Sequence, residues 1–186
     1  ARPYLQHASI GLCCAIAEWN AQQDALHVWS HSQSIFNLRR DLALALDIPQ
    51  PQVQVSHAEG AGCYGHNGAD DVAFDAAWLA RHLPGRPVRV QWTRAAELAH
   101  APLGPAMLVR IRASLRPDGR LQNWQQDVWG QGHGTRPGRD TTPALLGAWQ
   151  TARPFAVPMA VNAALAAGGG SERNAVPPYR CGRLRV

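Results

Sequence analysis

The residues best placed to do chemistry lie in one loop: Glu59, Gly60, Ala61, Gly62, Cys63, Tyr64, Gly65, His66, Asn67 and Gly68. Gly60, Gly62 and Gly65 have the spacing Gly-x-Gly-x-x-Gly. Without Cβ atoms, such a loop lets backbone N–H groups close on an anionic or polar ligand. A plain structural turn satisfies the same spacing. A dinucleotide fingerprint needs more: a parallel strand–helix–strand unit and an acidic residue closing the next strand. Here the next strand runs into Gln91, Trp92, Thr93 and Arg94, without a carboxylate. Asp70 and Asp71 at the start of the following helix would also repel a phosphate docked there.

Other reactive residue types are present without a constellation. His27 and His31 are four apart, a metal-binding spacing only on a helix, and they fall on a strand, so no metal site is expected. Cys13, Cys14, Cys63 and Cys181 form no Cys-x-x-Cys pair, which removes zinc-ribbon and iron–sulfur ligation; reduced, mostly buried thiols are expected. All 18 basic residues are arginine. That excludes a P-loop lysine, a Schiff-base lysine and a lysine general base. The net charge is +5, but the arginines are scattered. Their densest groups are Arg39 with Arg40, and Arg180, Arg183 and Arg185, so nucleic-acid binding is not expected.

The elements that must hold the loop are readable from periodicity. Residues 11–19 predict a buried strand and 25–30 its antiparallel partner, joined by a polar turn at 20–24. Ile35, Leu38, Leu42 and Leu46 recur at helical spacing over 34–46. Ser32 or Ser34 is a candidate cap, and Pro49 and Pro51 end the helix. A strand at 52–56 leads into the glycine loop. A second helix begins near Asp70 and stops at Pro84 and Gly85. Residues 87–92 form a fourth strand. Residues 106–116 and 120–129 alternate around Asp118-Gly119 and predict a long hairpin. Beyond Gly130 the pattern gives way to Gly, Pro, Thr and Ala, which predicts irregular, partly mobile chain. The expected fold is α+β: a mixed sheet with two packed helices, a long β-hairpin and an irregular C-terminal segment. Residues 1–129 form the expected α/β domain portion, and 130–186 an irregular extension. With 46% hydrophobic residues in 186, the chain can bury one substantial core or two small lobes. No run approaches the roughly 18–20 apolar residues of a membrane span. No signal peptide is visible, and the abrupt start at Ala1, Arg2, Pro3 and Tyr4 suggests the middle of a longer protein.

Four stretches, taken in order, resemble one family. They are Tyr4/His7/Ala8; Trp29/Ser30/Gln33 running into Arg39; Gly60–Gly65; and Gly85, Arg86, Pro87, Val88, Arg89 with Thr93/Arg94/Glu97, followed by Asp118-Gly119. Their order and spacing resemble the large, molybdopterin-binding subunit of the xanthine dehydrogenase/aldehyde oxidase (molybdenum hydroxylase) family. The resemblance is nearest the branch of isoquinoline 1-oxidoreductases, nicotinate dehydrogenases and membrane-bound aldehyde dehydrogenases. It covers Arg2 to Trp129 and extends more loosely to the tail.

That resemblance implies a fragment of an oxidoreductase that oxidises aldehydes or hydroxylates N-heterocycles with oxygen from water. The cofactor would be molybdopterin with molybdenum, in its cytosine dinucleotide form, held by the full subunit and not by this fragment alone. Electrons would pass to an iron–sulfur small subunit, with a cytochrome c subunit as a further partner. Membrane association would arise only through partners, in the cytoplasm or in a periplasm-facing complex. By resemblance, Gly60, Ala61, Gly62, Cys63, Tyr64 and Gly65 lie against the molybdenum centre, with Gln33 and Gln6 as further cofactor contacts. Cys63 and Tyr64 replace a phenylalanine and a glycine of the family pattern. The glutamine expected two residues before the histidine is displaced, with Leu5 there and Gln6 beside it. Gly11 stands where relatives carry a glutamate. The family's base glutamate follows a glycine near the far C-terminus. Glu59, Asp118 and Glu172 lack that setting, so no catalytic residue is expected in this segment. Two other readings remain open: a nucleotide- or phosphate-binding module on the Gly60–Gly65 loop, and a non-catalytic interaction domain.

Overall fold

The computed structural model describes residues 1–60, 62–132, 136–164, 170–173 and 175–180. Ala61, Cys181, Arg183 and Arg185 fall outside the described residues. The described chain divides into two units. One takes Gln6–Leu103 with residues 136–159; the other takes Ala1–Leu5, residues 104–132 and the described residues from 160 onward.

In the first unit, alternation builds a sheet. Strand β1 (Cys14–Asn20) buries Ala15, Ala17 and Trp19, and β2 (Ala25–Ser30) buries Leu26, Val28 and Ser30. The two pair antiparallel, with Ala17 opposite Val28. Asn20 closes the turn by accepting from the amides of Gln22 and Gln23. Helix α1 (Ile35–Leu46) buries Leu38, Leu42 and Leu46, the expected stripe. Neither serine caps it through its side chain: Ser34 makes no cap bond, and Ser32 Oγ accepts from the Ser34 amide before the helix begins. Arg39 ties α1 to the chain beyond its end, its guanidinium donating to the carbonyls of Gln50 and Val53.

Strand β3 (Val53–His57) runs parallel to β2, and β4 (Val88–Gln91) runs antiparallel to β1. The sheet order is β3-β2-β1-β4. Helix α2 (Ala69–Arg81) packs on it with a face of small residues; Ala73, Ala76, Ala77 and Ala80 are all buried. Such a face lets backbone approach backbone closely. The mixed α+β sheet is as expected, with one addition: there are three helices among the described residues. Arg94–His100 is α3, a stretch too short for its periodicity to show in the sequence. Thr93 caps it, its Oγ1 accepting from the Ala96 amide at 3.1 Å.

Among the described residues after Gly130 the chain is irregular as expected, apart from a 3₁₀ turn at Leu146–Trp149. Residues 136–159 are not loose, however. Leu145 and Ala148 are fully buried in the same core as α1 and α2. The carboxylate of Asp41 accepts from the amides of Gly138 (3.1 Å) and Ala144 (2.9 Å), and Asp71 accepts from Leu146 (2.9 Å). Residues 136–159 thus pack with Gln6–Leu103 in one unit.

The second unit is the hairpin of β5 (Met107–Leu115) and β6 (Leu121–Gly130). Gly119 takes φ +80° in its turn, which a side chain would resist. Arg2 extends the ribbon by exchanging backbone hydrogen bonds with Met107. Tyr179 lies against Trp124, ring centroids 5.7 Å apart.

Candidate functional site

The glycine loop leaves the end of β3 and turns into α2. Its shape is set by a buried hub, Asn67 (3% exposed). The Asn67 side-chain amide donates to Ser9 Oγ at 2.7 Å and to the Gly62 carbonyl at 3.2 Å, and its Oδ1 accepts from the Ala69 amide at 3.1 Å. One side chain therefore joins the N-terminal segment, the loop and the first turn of α2. Cys63 is buried and its thiol donates to the Gly65 carbonyl.

The backbone follows a path that glycine favours. Gly62 has φ +77° and Gly65 +133°, and Tyr64 adopts φ +56° despite its side chain. Tyr64 thus holds a left-handed conformation in which a glycine would be relaxed. Gly60, Gly62, Tyr64 and Gly65 are all exposed. Among the described residues, the amides of Gly62, Cys63, Tyr64 and Gly65 donate no hydrogen bond within the protein. This is an open row of donors.

Two histidines flank the row. The imidazole of His31 packs on Gly60, and that of His7 packs on Gly65. Arg136 clasps the far end. Its guanidinium donates to the Gly65 carbonyl and, at 2.6 Å, to Gln33 Oε1. The structure brings Gln33 to the loop through an arginine 71 positions beyond Gly65 in sequence. A recess of about 300 Å³ opens beside the loop, between Gln33, His31, His57 and Glu59. His66, inside the loop, is pushed down to about 4, first by burial and then by Arg136, His7 and Arg139; it is neutral at physiological pH.

Gln6 is engaged within the protein. Its Nε2 donates to the Glu97 carbonyl at 2.8 Å, and its Oε1 accepts from the His7 amide at 2.7 Å. Both polar atoms are engaged by the protein, so Gln6 acts here as a clasp on α3. Ala61 lies outside the described residues. The Thr93/Arg94/Glu97 motif is also structural. Arg94 pairs with the buried Glu97 at 2.7 Å and donates to the Ser9 carbonyl, while Glu97 Oε1 accepts from the Cys13 amide. Cys13 is no nucleophile, since burial and then Glu97 push its thiol up to about 12.

Sequence reasoning placed Asn67 in the loop without its role as hub, and found neither Arg136 nor the bracing role of His31. Asn67 carried a readable signal, as an Asx residue two positions before a helix. Arg136 carried none, because its role arises from a chain return with no spacing rule.

The phosphate-binding reading meets two obstacles. After the loop, α2 leads to β4 at the opposite sheet edge, separated from β3 by two strands, so the described residues form no Rossmann unit. Asp70 and Asp71 are buried at the helix start, bonded to Ser32 and the Leu146 amide.

A mixed sheet with helices packed on it, and an open glycine loop between its outer parallel strand and a helix, define a cofactor-binding domain of the molybdopterin type. The chain belongs to the molybdopterin cofactor-binding domain family, whose pattern matches residues 2–162. It is 45% identical over 119 residues to one subunit of the nicotinate dehydrogenase of Pseudomonas putida, covering 64% of this chain and 10% of that relative. The fold is similar to quinoline 2-oxidoreductase from Pseudomonas putida 86, with TM-score 0.57 and 19% identity over 70% of this chain and 17% of the other. It is also similar to aldehyde oxidoreductase from Desulfovibrio gigas, with TM-score 0.53 and 16% identity over 70% of this chain and 14% of the other. The chain thus spans about a tenth of the length of the curated relative it matches.

Proposed function

We propose that the Gly60–Gly65 loop cradles the molybdopterin-bound molybdenum centre of a larger oxidoreductase subunit, of which this chain is one part. The observation that carries this is the row of open amides at Gly62, Cys63, Tyr64 and Gly65, held on a rigid frame by Asn67 and Arg136. Residues of this kind fit the group: preorganised N–H donors stabilise an electron-rich oxygen without reorganising. The cofactor, when bound, supplies the two-electron oxidation of a carbon centre with oxygen derived from water. This chain's residues orient it. The loop amides donate, Arg136 fixes the loop end through the Gly65 carbonyl, and neutral His66 adds no positive charge.

The substrate class we propose is an N-heterocycle, supported by the 45% identity to part of a nicotinate dehydrogenase; an aldehyde is the second reading. The base glutamate belongs elsewhere in the full subunit, as the family resemblance implies; Glu59, the acid lining the recess, stands exposed to solvent. An iron–sulfur subunit as electron acceptor, a cytochrome c partner, the cytosine dinucleotide form of the cofactor and a cytoplasmic or periplasm-facing complex complete the proposal.

The test is to produce the complete subunit with its neighbouring subunits and measure molybdenum by elemental analysis and pterin by fluorescence. Near-stoichiometric molybdenum, lost when Gly62 and Gly65 are replaced by valine, is the expected result. A well-folded complex without molybdenum would overturn the proposal.

A further inference from the structure

We infer that His31 is a positioning residue for the glycine loop: its imidazole braces Gly60 and so sets where the loop amides stand. The functional meaning of the brace rests on the cofactor-cradling proposal; the brace itself is a property of this chain.

The two glycines in contact with histidines differ in kind. A Cβ built on Gly65 would meet His7 at Nε2, the far end of a side chain that can rotate aside. A Cβ on Gly60 would meet His31 at its own Cβ (2.6 Å) and Cγ (2.7 Å). Cβ is the root of the side chain, fixed by the His31 backbone whatever rotamer the ring adopts. The Gly60 backbone is therefore seated against a fixed wall, and the loop starts from a defined point.

The wall is fixed because its own backbone is. His31 is the first residue beyond β2. On one side of it Ser30 Oγ donates to the Ala69 carbonyl (3.3 Å) and accepts from the Ser32 amide (3.1 Å). On the other, Ser32 Oγ donates to Asp70 and accepts from the Ser34 amide. Both serines are buried. These bonds reach the first turn of α2, so both ends of the glycine loop are referred to one rigid corner.

The ring is oriented as well as placed. Its Nε2 accepts from the Cys14 amide at 3.4 Å, which leaves the proton on Nδ1. Burial lowers the His31 pKa, opposed by Glu97 of α3 and aided by His57 of β3, which favours the neutral ring this bond requires. Outer residues of this sort, which orient a binding group without touching the ligand, commonly change affinity by roughly 10–100-fold when removed.

The test uses the complete subunit with its partner subunits and four variants: His31→Ala, His31→Gln, Gly60→Ala and the double variant His31→Ala with Gly60→Ala. Two quantities are read. One is retained molybdenum per subunit. The other is the alkylation rate of Cys63, followed by mass spectrometry of its peptide in metal-free protein; Cys63 sits buried in the loop at 8% exposure. His31→Ala is expected to speed Cys63 alkylation and cut retained molybdenum, each about tenfold. His31→Gln, whose side-chain carbonyl can still accept from the Cys14 amide, should restore most of both. Gly60→Ala should cut retention alone and cost less in the His31→Ala background, where the Cγ and ring contacts are gone and only the Cβ contact remains. Wild-type behaviour of His31→Ala in both measurements would overturn the inference. So would equal Gly60→Ala losses in both backgrounds. A molybdenum-free wild-type complex would instead sink the functional proposal, and Cys63 alkylation would still decide the brace.

Discussion

At the scale of single residues, a buried carboxylate that accepts one backbone amide is a titratable weak point. Asp71 is 2% exposed, accepts from the Leu146 amide through Oδ1, and its Oδ2 has no hydrogen-bond partner among the described residues. Burial, followed in size by its carboxylate neighbours Asp70 and Asp75, pushes it up to about 7 from 3.8. Between those two pH values the folded protein holds a proton that the unfolded chain has released, so this group's contribution to stability falls as pH rises through the window. Asn in its place keeps the acceptor for Leu146 and cannot ionise. Asp71→Asn is therefore expected to be more stable than the wild type at pH 8, by a few kcal/mol at most, with the gap closing toward pH 5. Unfolding curves at the two pH values measure it, and a gap that does not change with pH would show that Asp71 does not titrate in this window. Asn67 makes the opposite argument, because it is neutral and engaged on both polar atoms. Asn67→Ala leaves the Gly62 carbonyl, Ser9 Oγ and the Ala69 amide without their partner and should cost on the order of 1–3 kcal/mol. Chemical unfolding measures it, and an unchanged midpoint would remove Asn67 as the hub.

At the scale of elements, the four-stranded sheet and its two long helices were legible because each carries an uninterrupted period: two in β1 and β2, and a four-residue leucine stripe in α1. Helix α3 was not, since its seven residues barely make two turns. Its signal was present in the Thr93 cap and the helix-favouring Ala95, Ala96, Glu97 and Leu98. Within the site, the glycine spacing was legible and the clasp was not: Arg136 and Asp41 act through a return of irregular chain, and irregular chain has no period. One carboxylate, Asp41, bridges two amides of the return segment, Gly138 and Ala144. Asp41→Ala leaves both amides unpaired beside the core and should free this stretch. Tryptic cleavage after Arg139 is expected to accelerate about tenfold or more, the equivalent of losing one to two kcal/mol of local closure. Cleavage at the wild-type rate would mean the segment is held by its other ties, the Asp71 bond to Leu146 and the buried Leu145 and Ala148, without the Asp41 bridge. Helix α1 ends on Asp47 at φ +54°, a left-handed position where glycine is relaxed. Asp47→Gly should be neutral to stabilising, by up to about 1 kcal/mol, read as a shift in melting temperature.

At the scale of the whole molecule, the hairpin unit sets the boundary of what this chain does unaided. Every residue of β5 after Met107 is exposed, on both faces of the ribbon. Leu108, Val109, Ile111, Leu115 and Trp129 stand open at 41–63%. A two-stranded ribbon is marginal in water without a packed face, and exposed apolar strands seek a partner. The chain spans about a tenth of the curated relative it matches, so the cover for this ribbon is expected from the remainder of such a subunit. The four-stranded sheet, by contrast, has its own core of Val28, Leu38, Leu42, Val72 and Leu145. The 186-residue chain produced alone should therefore behave as two materials. Its β1 and β2 amides should be strongly protected from hydrogen exchange, while those of β5 and β6 exchange rapidly at low concentration. As concentration rises, the chain should self-associate, and Ile111→Lys with Val109→Thr should reduce that association while leaving β1 and β2 protection unchanged. Sedimentation velocity reads the association and exchange mass spectrometry reads the protection. A monomer at all concentrations, with the ribbon as protected as the sheet, would show that the hairpin needs no cover and that its apolar face serves some other end.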